Sequence, residues 1–467
     1  MSSSITGQHP ALPLRLQLPE LGSVLCTRAL RILPARRWTL AGATEGGQRE
    51  VVVKIFLPSR HARRDFLREQ RGLEILHRRA IAAPQVLYAG ALTEPPGWAV
   101  VTAALRGQTA DTLGAAALPA VVRAVALQHA EGIEQRDTHL ANFMIVDGTA
   151  WTLDGAGIHA AAALSARRAR RNLARWLAQY PPGIDRRTGE LLSLYRTTRW
   201  DQGRVGSADG FRNQVAHERR HRERRHIAKS MRSCSAYLAR RTFRAFSVID
   251  RRDDTPALRN WLAAPDEPFR NPQADWLKRG NSASVVRLEL DGQALVVKRY
   301  NFKGFGHWLR RFWRPSRAWH SWRNAHRLRL WDLPTPRPVA LLEERFGWLR
   351  GRAFYLSEYA PGEPLAKVLA LARPHDRTLL LTKLCALLNT MARLRLSHGD
   401  LKATNLLVDQ ENNLMLLDLD ALRRYRRRTS FFRAFARDLA RLRANWADQP
   451  ALLAELDQAL TDAGLAP

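Results

Sequence analysis

The sequence predicts an α+β protein built from two similar units in tandem, each opening with short strands and continuing into helices. Three observations carry that expectation. The first is a repeated order of elements. VVVKIF (Val51 to Phe56) and ALVVKRY (Ala294 to Tyr300) are both β-branched runs with a lysine near the end. Each leads through a helix-like segment to a proline turn: Asp65 to His77 before Ala83-Pro84, and Ser321 to Trp331 before Leu333-Pro334. The second is that each half then carries a polar loop, a short apolar strand ending in aspartate, and a helix. The third is a match in letters within that helix, Arg171-Asn172-Leu173-Ala174-Arg175 against Arg437-Asp438-Leu439-Ala440-Arg441. Shared elements in one order argue for an internal duplication, with units over residues 15–200 and 271–467 and a basic segment over 201–270 between them.

That middle segment opens Gly-rich and polar (Trp200 to Asn213), then turns basic from His217 to Arg241. HERRHRERR, with Glu218 and Glu223 interleaved, reads as a solvated charged helix linking the units, or as a docking surface for anionic groups.

At 467 residues, 45% hydrophobic and 25% charged, the chain is globular in composition and long enough for two or three domains. Its 75 Lys+Arg against 43 Asp+Glu leave +32, a field that suits polyanions: nucleic acid, an acidic membrane surface or a phosphorylated glycolipid. No zinc spacing, RNP-like string or helix-turn-helix signature supports nucleic acid. Cys26, Cys234 and Cys385 are widely spaced and imply no disulfide framework, as a reducing compartment permits. The first twenty residues lack the apolar run of a signal peptide, and no ~18-residue uninterrupted apolar stretch occurs. A cytoplasmic protein, peripheral to a membrane, is expected.

The chemistry is concentrated in SHGDLKATNLLVD (Ser397 to Asp409) and LMLLDLD (Leu414 to Asp420). Phosphoryl transfer from a nucleotide needs a carboxylate at the acceptor hydroxyl, ligands for Mg²⁺ and cations over the phosphates. Asp400 is placed to take the hydroxyl proton. Asn405, five residues on, and Asp418, at the end of its strand, are hard oxygen ligands for a metal. Lys402 is placed to meet the transferred group, and Lys298 on its strand to hold nucleotide phosphates. Arg279 to Ser284 is the candidate phosphate-covering loop, with the Ser282 and Ser284 hydroxyls and backbone N–H groups as donors. The first half repeats the pattern in GIEQRDTHLANFMI and WTLDGAG, with Asp137, Asn142 and Asp154 at +5 and +17 against +5 and +18, and with Lys54 as the strand lysine.

HGDLKATN resembles the H-x-D-x-x-x-x-N catalytic loop of protein-kinase-like enzymes, with DLD in place of D-F-G. With Ser316 to Leu341, it is most similar to the bacterial lipopolysaccharide core sugar kinases, the heptose and Kdo kinases, over roughly Leu277 to Trp446. The resemblance implies two protein-kinase-like bilobal units, each a small β-rich lobe and a helical lobe, using ATP and Mg²⁺. It also implies a lipopolysaccharide core or other phosphorylated glycolipid as acceptor. Protein kinases pair the strand lysine with a helix glutamate. Glu69 holds that place in the first half, with Glu74 a poorer choice, whereas SWRNAH (Ser321 to His326) has none. His139, two residues after Asp137, fits small-molecule phosphotransferases of this superfamily; Gln135 stands where the loop-supporting histidine is usual. Both halves active, or one catalytic and one a pseudokinase or acceptor-binding module, are both open. So are a protein or small-molecule acceptor and a non-catalytic basic scaffold. The charge of +32 opposes antibiotic kinases, and LRRYRRRTSFFRAF after Asp418 replaces the A-P-E element of protein kinases. Trp308, Trp313, Trp319 and Trp322 among Arg310, Arg311, Arg314 and Arg317 suit an anionic membrane interface, or else a lobe core.

Overall fold

The computed structural model describes residues 9–199, 207–301 and 313–465. The chain divides into two compact units, Met1–Arg220 and His221–Pro467.

In the first unit, β1 (Leu14–Leu18), β2 (Gly22–Leu33), β3 (Arg37–Thr44), β4 (Glu50–Phe56), β5 (Val86–Leu92) and β6 (Gly97–Ala103) form one antiparallel sheet in the order β1-β2-β3-β4-β6-β5. Helix α1 (Ala62–Arg78) lies between β4 and β5 in sequence. Its Phe66, Leu73 and Leu76 share one face and pack with Phe56 and Val100 of the sheet, while Arg63, Arg64, Arg68 and Arg71 take the other positions. Burying each of those apolar side chains contributes about 1.5–3 kcal/mol. Glu69 breaks the pattern, since it is fully buried on a face otherwise apolar.

The rest of the unit is helical, with short strands β7 (Gln108–Thr109), β8 (Ile133–Gln135), β9 (Phe143–Val146), β10 (Thr149–Thr152) and β11 (Ile158–Ala160) framing the polar loop. Leu118–Ala130, Ala166–Leu177, Thr188–Arg199 and the start of Ala208–Lys229 close a core around Trp176, Tyr195 and Phe211. The stretch Ala110–Ala130 has the length and mean hydropathy, 1.4, of a membrane span. It is interrupted by Asp111 and Arg123, and its helix contributes Leu118, Val121, Val122 and Val125 to that core.

The second unit has a seven-stranded sheet of β12 (Tyr237–Arg241), β13 (Ala245–Asp250), β14 (Asp275–Lys278), β15 (Ala283–Leu290), β16 (Gln293–Tyr300), β17 (Pro338–Phe346) and β18 (Leu349–Glu358), ordered β12-β13-β17-β18-β16-β15-β14. The helix Arg317–Leu330 packs on it through the fully buried Trp322. The helical part is built on Pro374–Leu394, Arg428–Arg443 and Pro450–Asp462 around a leucine-rich core. Between them lie β19 (Glu363–Pro364), β20 (Leu396–Ser397), β21 (Leu406–Val408), β22 (Leu414–Leu416) and β23 (Arg423–Arg424).

The middle segment differs from a linker. β12 and β13 pair with each other and, through β13, with β17. Ile249, Leu258, Trp261 and Phe269 enter the core of the second sheet. Arginine-rich lettering masks a strand hairpin in which Phe246, Val248, Ile249 and Asp250 are buried. The basic helix is solvated on one side only, where His217, His221, Arg224 and Arg225 are exposed. Glu218, Arg219 and Glu223 are all buried, with Glu218 paired to Arg171 and Arg175, and Glu223 to Arg327 and Arg424.

Candidate functional site

In β4 the valines Val51 and Val53 and Ile55 bury one face completely, so Val52 and Lys54 occupy the other. The Lys54 ammonium pairs with the Glu69 carboxylate, donates to the Leu153 carbonyl at 2.9 Å and lies 3.9 Å from Asp154. Glu69 also accepts from the N–H groups of Gly155 and Ala156, both at 3.2 Å. That contact needs two glycines. A Cβ on Gly72 of α1 would lie 1.9 Å from the Gly155 carbonyl oxygen, and one on Gly155 would lie 2.3 Å from the Glu69 carbonyl oxygen. Burial pushes the Glu69 carboxyl up to about 7 against the pull of Lys54. Burial also opposes the charged form of Asp154, but the Lys54 ammonium and the Ala156 N–H hold it well below the usual carboxylate range. One lysine thus serves a helix carboxylate and the strand-end carboxylate together.

The polar loops of the two units are built on the same hydrogen bonds. In the first, His139 N–H donates to the Asp137 carbonyl (3.0 Å), Asn142 N–H to the His139 carbonyl (2.8 Å) and Leu153 N–H to the Asn142 carbonyl (2.9 Å). In the second, the same three bonds join Lys402 to Asp400 (3.0 Å), Asn405 to Lys402 (2.9 Å) and Leu417 to Asn405 (2.9 Å). The Asn142 and Asn405 amides donate to the Asp137 and Asp400 carbonyls at 3.0 and 2.9 Å. Each amide therefore keeps its Oδ1 as the remaining acceptor. Asp137, His139 and Lys402 are exposed and Asp400 is half-buried, with Lys402 and Asp400 3.1 Å apart. Asn405 Oδ1 and the Asp418 carboxylate, like Asn142 and Asp154, are hard oxygen donors suited to Mg²⁺.

In the second unit, Leu295 and Val297 of β16 are buried on one face and Lys298 lies on the other. Its ammonium is 2.5 Å from Asp418 and 4.0 Å from Asp420. Asp420 is held by Arg317 at 2.6 Å. Burial opposes the charged form of Asp418, yet Lys298, with Arg317 and His398 behind it, keeps the carboxyl below its ordinary range. Burial, with the adjacent Asp418 charge, raises Asp420. The missing helix glutamate is thereby accounted for. Asn324, as far into its helix as Glu69 is into α1, donates to the carbonyls of Leu419 and Leu422 at 2.7 and 2.9 Å, and Asp420 supplies the lysine's second carboxylate. Asp418 itself sits in the left-handed region (φ 53°), which turns the chain sharply there.

A cavity of about 210 Å³ brings Lys298, Asn405 and Asp418 together under Val285, Val296 and Tyr355. Lys278 also borders it. Of the covering-loop serines, Ser282 is half-buried and its carbonyl accepts from Arg317 at 3.3 Å. Ser284 is buried, its hydroxyl taken by the Asn301 amide at 3.1 Å, so it does not face the cavity. In the first unit a cavity of about 720 Å³ is lined by Leu25, Ala41, Val52, Leu105 and Met144, with Val52 on the Lys54 face of β4. Glu74 is exposed on α1.

Sequence reasoning missed the residues that clamp the loops. Asp438 is fully buried and accepts from the Ser397 hydroxyl (2.6 Å) and the Gly399 N–H (3.0 Å). Asn172, its counterpart in the matching letters, is also fully buried. It donates to the Gln135 carbonyl at 2.8 Å and bonds His129 at 3.0 Å. His398 Nε2 bonds the Leu417 carbonyl at 2.8 Å, a tie from the loop to the strand before Asp418. The Gln135 side chain makes no such bond among the described residues.

Of the Trp/Arg run, Trp308, Arg310 and Arg311 lie outside the described residues. Trp322 is core, donating to the Ser230 carbonyl at 3.0 Å, while Trp313 is exposed. Arg314, Arg317, His320, Arg350 and Arg423 border a cavity of about 490 Å³ whose acidic member is Asp420.

Residues 259–462 match the model of the lipopolysaccharide kinase (Kdo/WaaP) family. Among solved structures, the kinase domain of PknI from M. tuberculosis is similar at 18% identity, over 45% of this chain and 99% of that one, with a TM-score of 0.29. No curated protein matches the chain.

Proposed function

We propose that the chain, whose residues 259–462 match the lipopolysaccharide kinase (Kdo/WaaP) family model, is a phosphotransferase that moves a phosphoryl group from ATP to a sugar hydroxyl, of heptose or Kdo, in lipopolysaccharide core. The observation that carries this reading is the cavity joining Lys298, Asn405 and Asp418 beside the Asp400 loop. Asp400 accepts the proton of the acceptor hydroxyl, and Lys402 faces the transferred group. Lys298 binds nucleotide phosphates, and Asn405 with Asp418 would hold Mg²⁺, which when bound neutralises phosphate charge. The arginine-bordered cavity beside Asp420 takes phosphate groups already on the acceptor, where guanidinium forks suit phosphate oxygens.

The first unit repeats four hydrogen bonds of the loop and keeps Lys54, Glu69 and Asp154 together, so we assign it a second centre of the same kind, with Asp137 as base and Asn142 and Asp154 for metal. His139 stands where Lys402 stands. The chain is then a tandem of two protein-kinase-like units, working at the cytoplasmic face of the inner membrane, where core acceptors are assembled.

The test is transfer of labelled phosphate from ATP to purified lipopolysaccharide core in the presence of Mg²⁺. Wild type should label the core, and Asp418→Ala with Asp154→Ala should not. A wild-type chain that hydrolyses ATP yet labels only protein would sink the lipopolysaccharide reading.

A further inference from the structure

Two hairpin tips of the second sheet meet at its edge. The β12–β13 turn presents Phe243 and the β17–β18 turn presents Phe346 and Trp348, which are 61%, 67% and 94% exposed. The tips are bonded together, since Gly347 N–H donates to the Phe243 carbonyl at 2.9 Å and Arg345 N–H to that of Arg244 at 2.7 Å. The two phenylalanine rings pack edge to face with centroids 4.8 Å apart. Gly347 has φ +60°, and a Cβ there would come within 3.1 Å of the Phe243 ring. The aromatic tip is therefore fixed by backbone pairing. It exposes on the order of 400 Å² of aromatic surface, at the scale that marks an interaction site.

Its surroundings are cationic. Arg240, Arg241 and Arg244 are exposed on the first hairpin. The nearest acids on the second are committed elsewhere, Glu343 to Arg345 and Arg350, and Glu344 to Arg352. A protruding aromatic tip ringed by arginines is complementary to a surface that yields to it and carries phosphates. Aromatic rings sit at head-group depth, and arginines meet lipid phosphates.

We propose that this tip docks the second unit on a bilayer containing anionic lipid, through insertion of Phe243, Phe346 and Trp348. The inference rests on the lipopolysaccharide kinase reading and deepens it by assigning membrane contact to these two turns.

The test uses the full chain and vesicles of phosphatidylcholine with or without phosphatidylglycerol, scored by co-flotation. Wild type should float with the anionic vesicles, less so at high salt. Trp348→Ala and Phe243→Ala should each weaken binding roughly tenfold, and Trp348→Phe should restore most of it. Arg241→Gln with Arg244→Gln should weaken binding to anionic vesicles alone. These side chains are exposed and border neither the cavity at Lys298 nor the arginine-bordered one, so phosphorylation of a deacylated, soluble core should persist in every variant. Wild-type flotation undiminished by both alanine variants overturns the proposal. So does a wild-type dimer that these variants convert to monomer, which would make the tip a contact between chains. Loss of soluble-core phosphorylation in wild type would instead overturn the kinase reading and leave the docking result standing.

Discussion

Removing the Asp438 carboxylate should unfasten the base loop of the second unit. The side chain is fully buried and accepts from the Ser397 hydroxyl and the Gly399 N–H, while Arg441 lies 3.7 Å away with nearly half of its side chain in solvent. Asp438→Ala strands two buried donors. Each costs about 1–3 kcal/mol, and relief of a buried charge offsets part of that, so a loss of about 3 kcal/mol is expected. Asp438→Asn keeps an acceptor for Gly399, and the Ser397 hydroxyl can turn to accept from the new amide. That variant should lose about 1 kcal/mol, as Asn172 at the matching place of the first unit suggests. Urea unfolding of the whole chain, followed by circular dichroism, checks this. The alanine variant should lower one midpoint by roughly 1–2 M, and turnover should fall with it because Asp400 follows Gly399 directly. An alanine variant with the wild-type midpoint and turnover would refute the anchoring argument.

Lys298→Met should reduce turnover by roughly 10²–10³-fold, the scale of losing one preorganised charge contact, with little change in unfolding midpoint; equal activity would remove Lys298 from the site. The Asn324→Leu change leaves the carbonyls of Leu419 and Leu422 without their amide donor and should cost about 2 kcal/mol in the same urea assay. Glu69 gives a pH signature. Its folded carboxyl is raised from 4.5 to about 7, so between those values the folded state holds a proton the unfolded state lacks. Its contribution to stability therefore declines as pH rises through that window and is flat outside it. Glu69→Gln should remove this slope, read as midpoints compared from about pH 4.5 to about pH 7; an unchanged slope would assign it to another group.

The repeated order of elements and the two loops were legible because they rest on strand periodicity and on chemistry-bearing letters at fixed spacing. Lys54 meeting Glu69 was legible too, since a glutamate at a buried helical position has few other reasons to be there. What could not be read was compensation across elements. Arg317, Asn324 and Asp420 replace one helix glutamate from three places, and only the doubled aspartate of DLD hinted at it. The clamp residues Asn172 and Asp438 were visible as matching letters, but their burial beneath the loops is a tertiary fact. The hairpin Tyr237–Asp250 was hidden because exposed arginines interrupt its apolar alternation. Glu218 and Glu223 looked solvated because their arginine partners include residues distant in sequence.

The central claim is that two kinase centres share one chain, each acting through its own loop aspartate. Mass analysis of lipopolysaccharide core from cells carrying Asp400→Ala, Asp137→Ala or both tests it most directly. Each single variant should lack a different phosphoryl group and the double variant both, whereas a double variant whose core matches wild type would contradict the assignment of two centres.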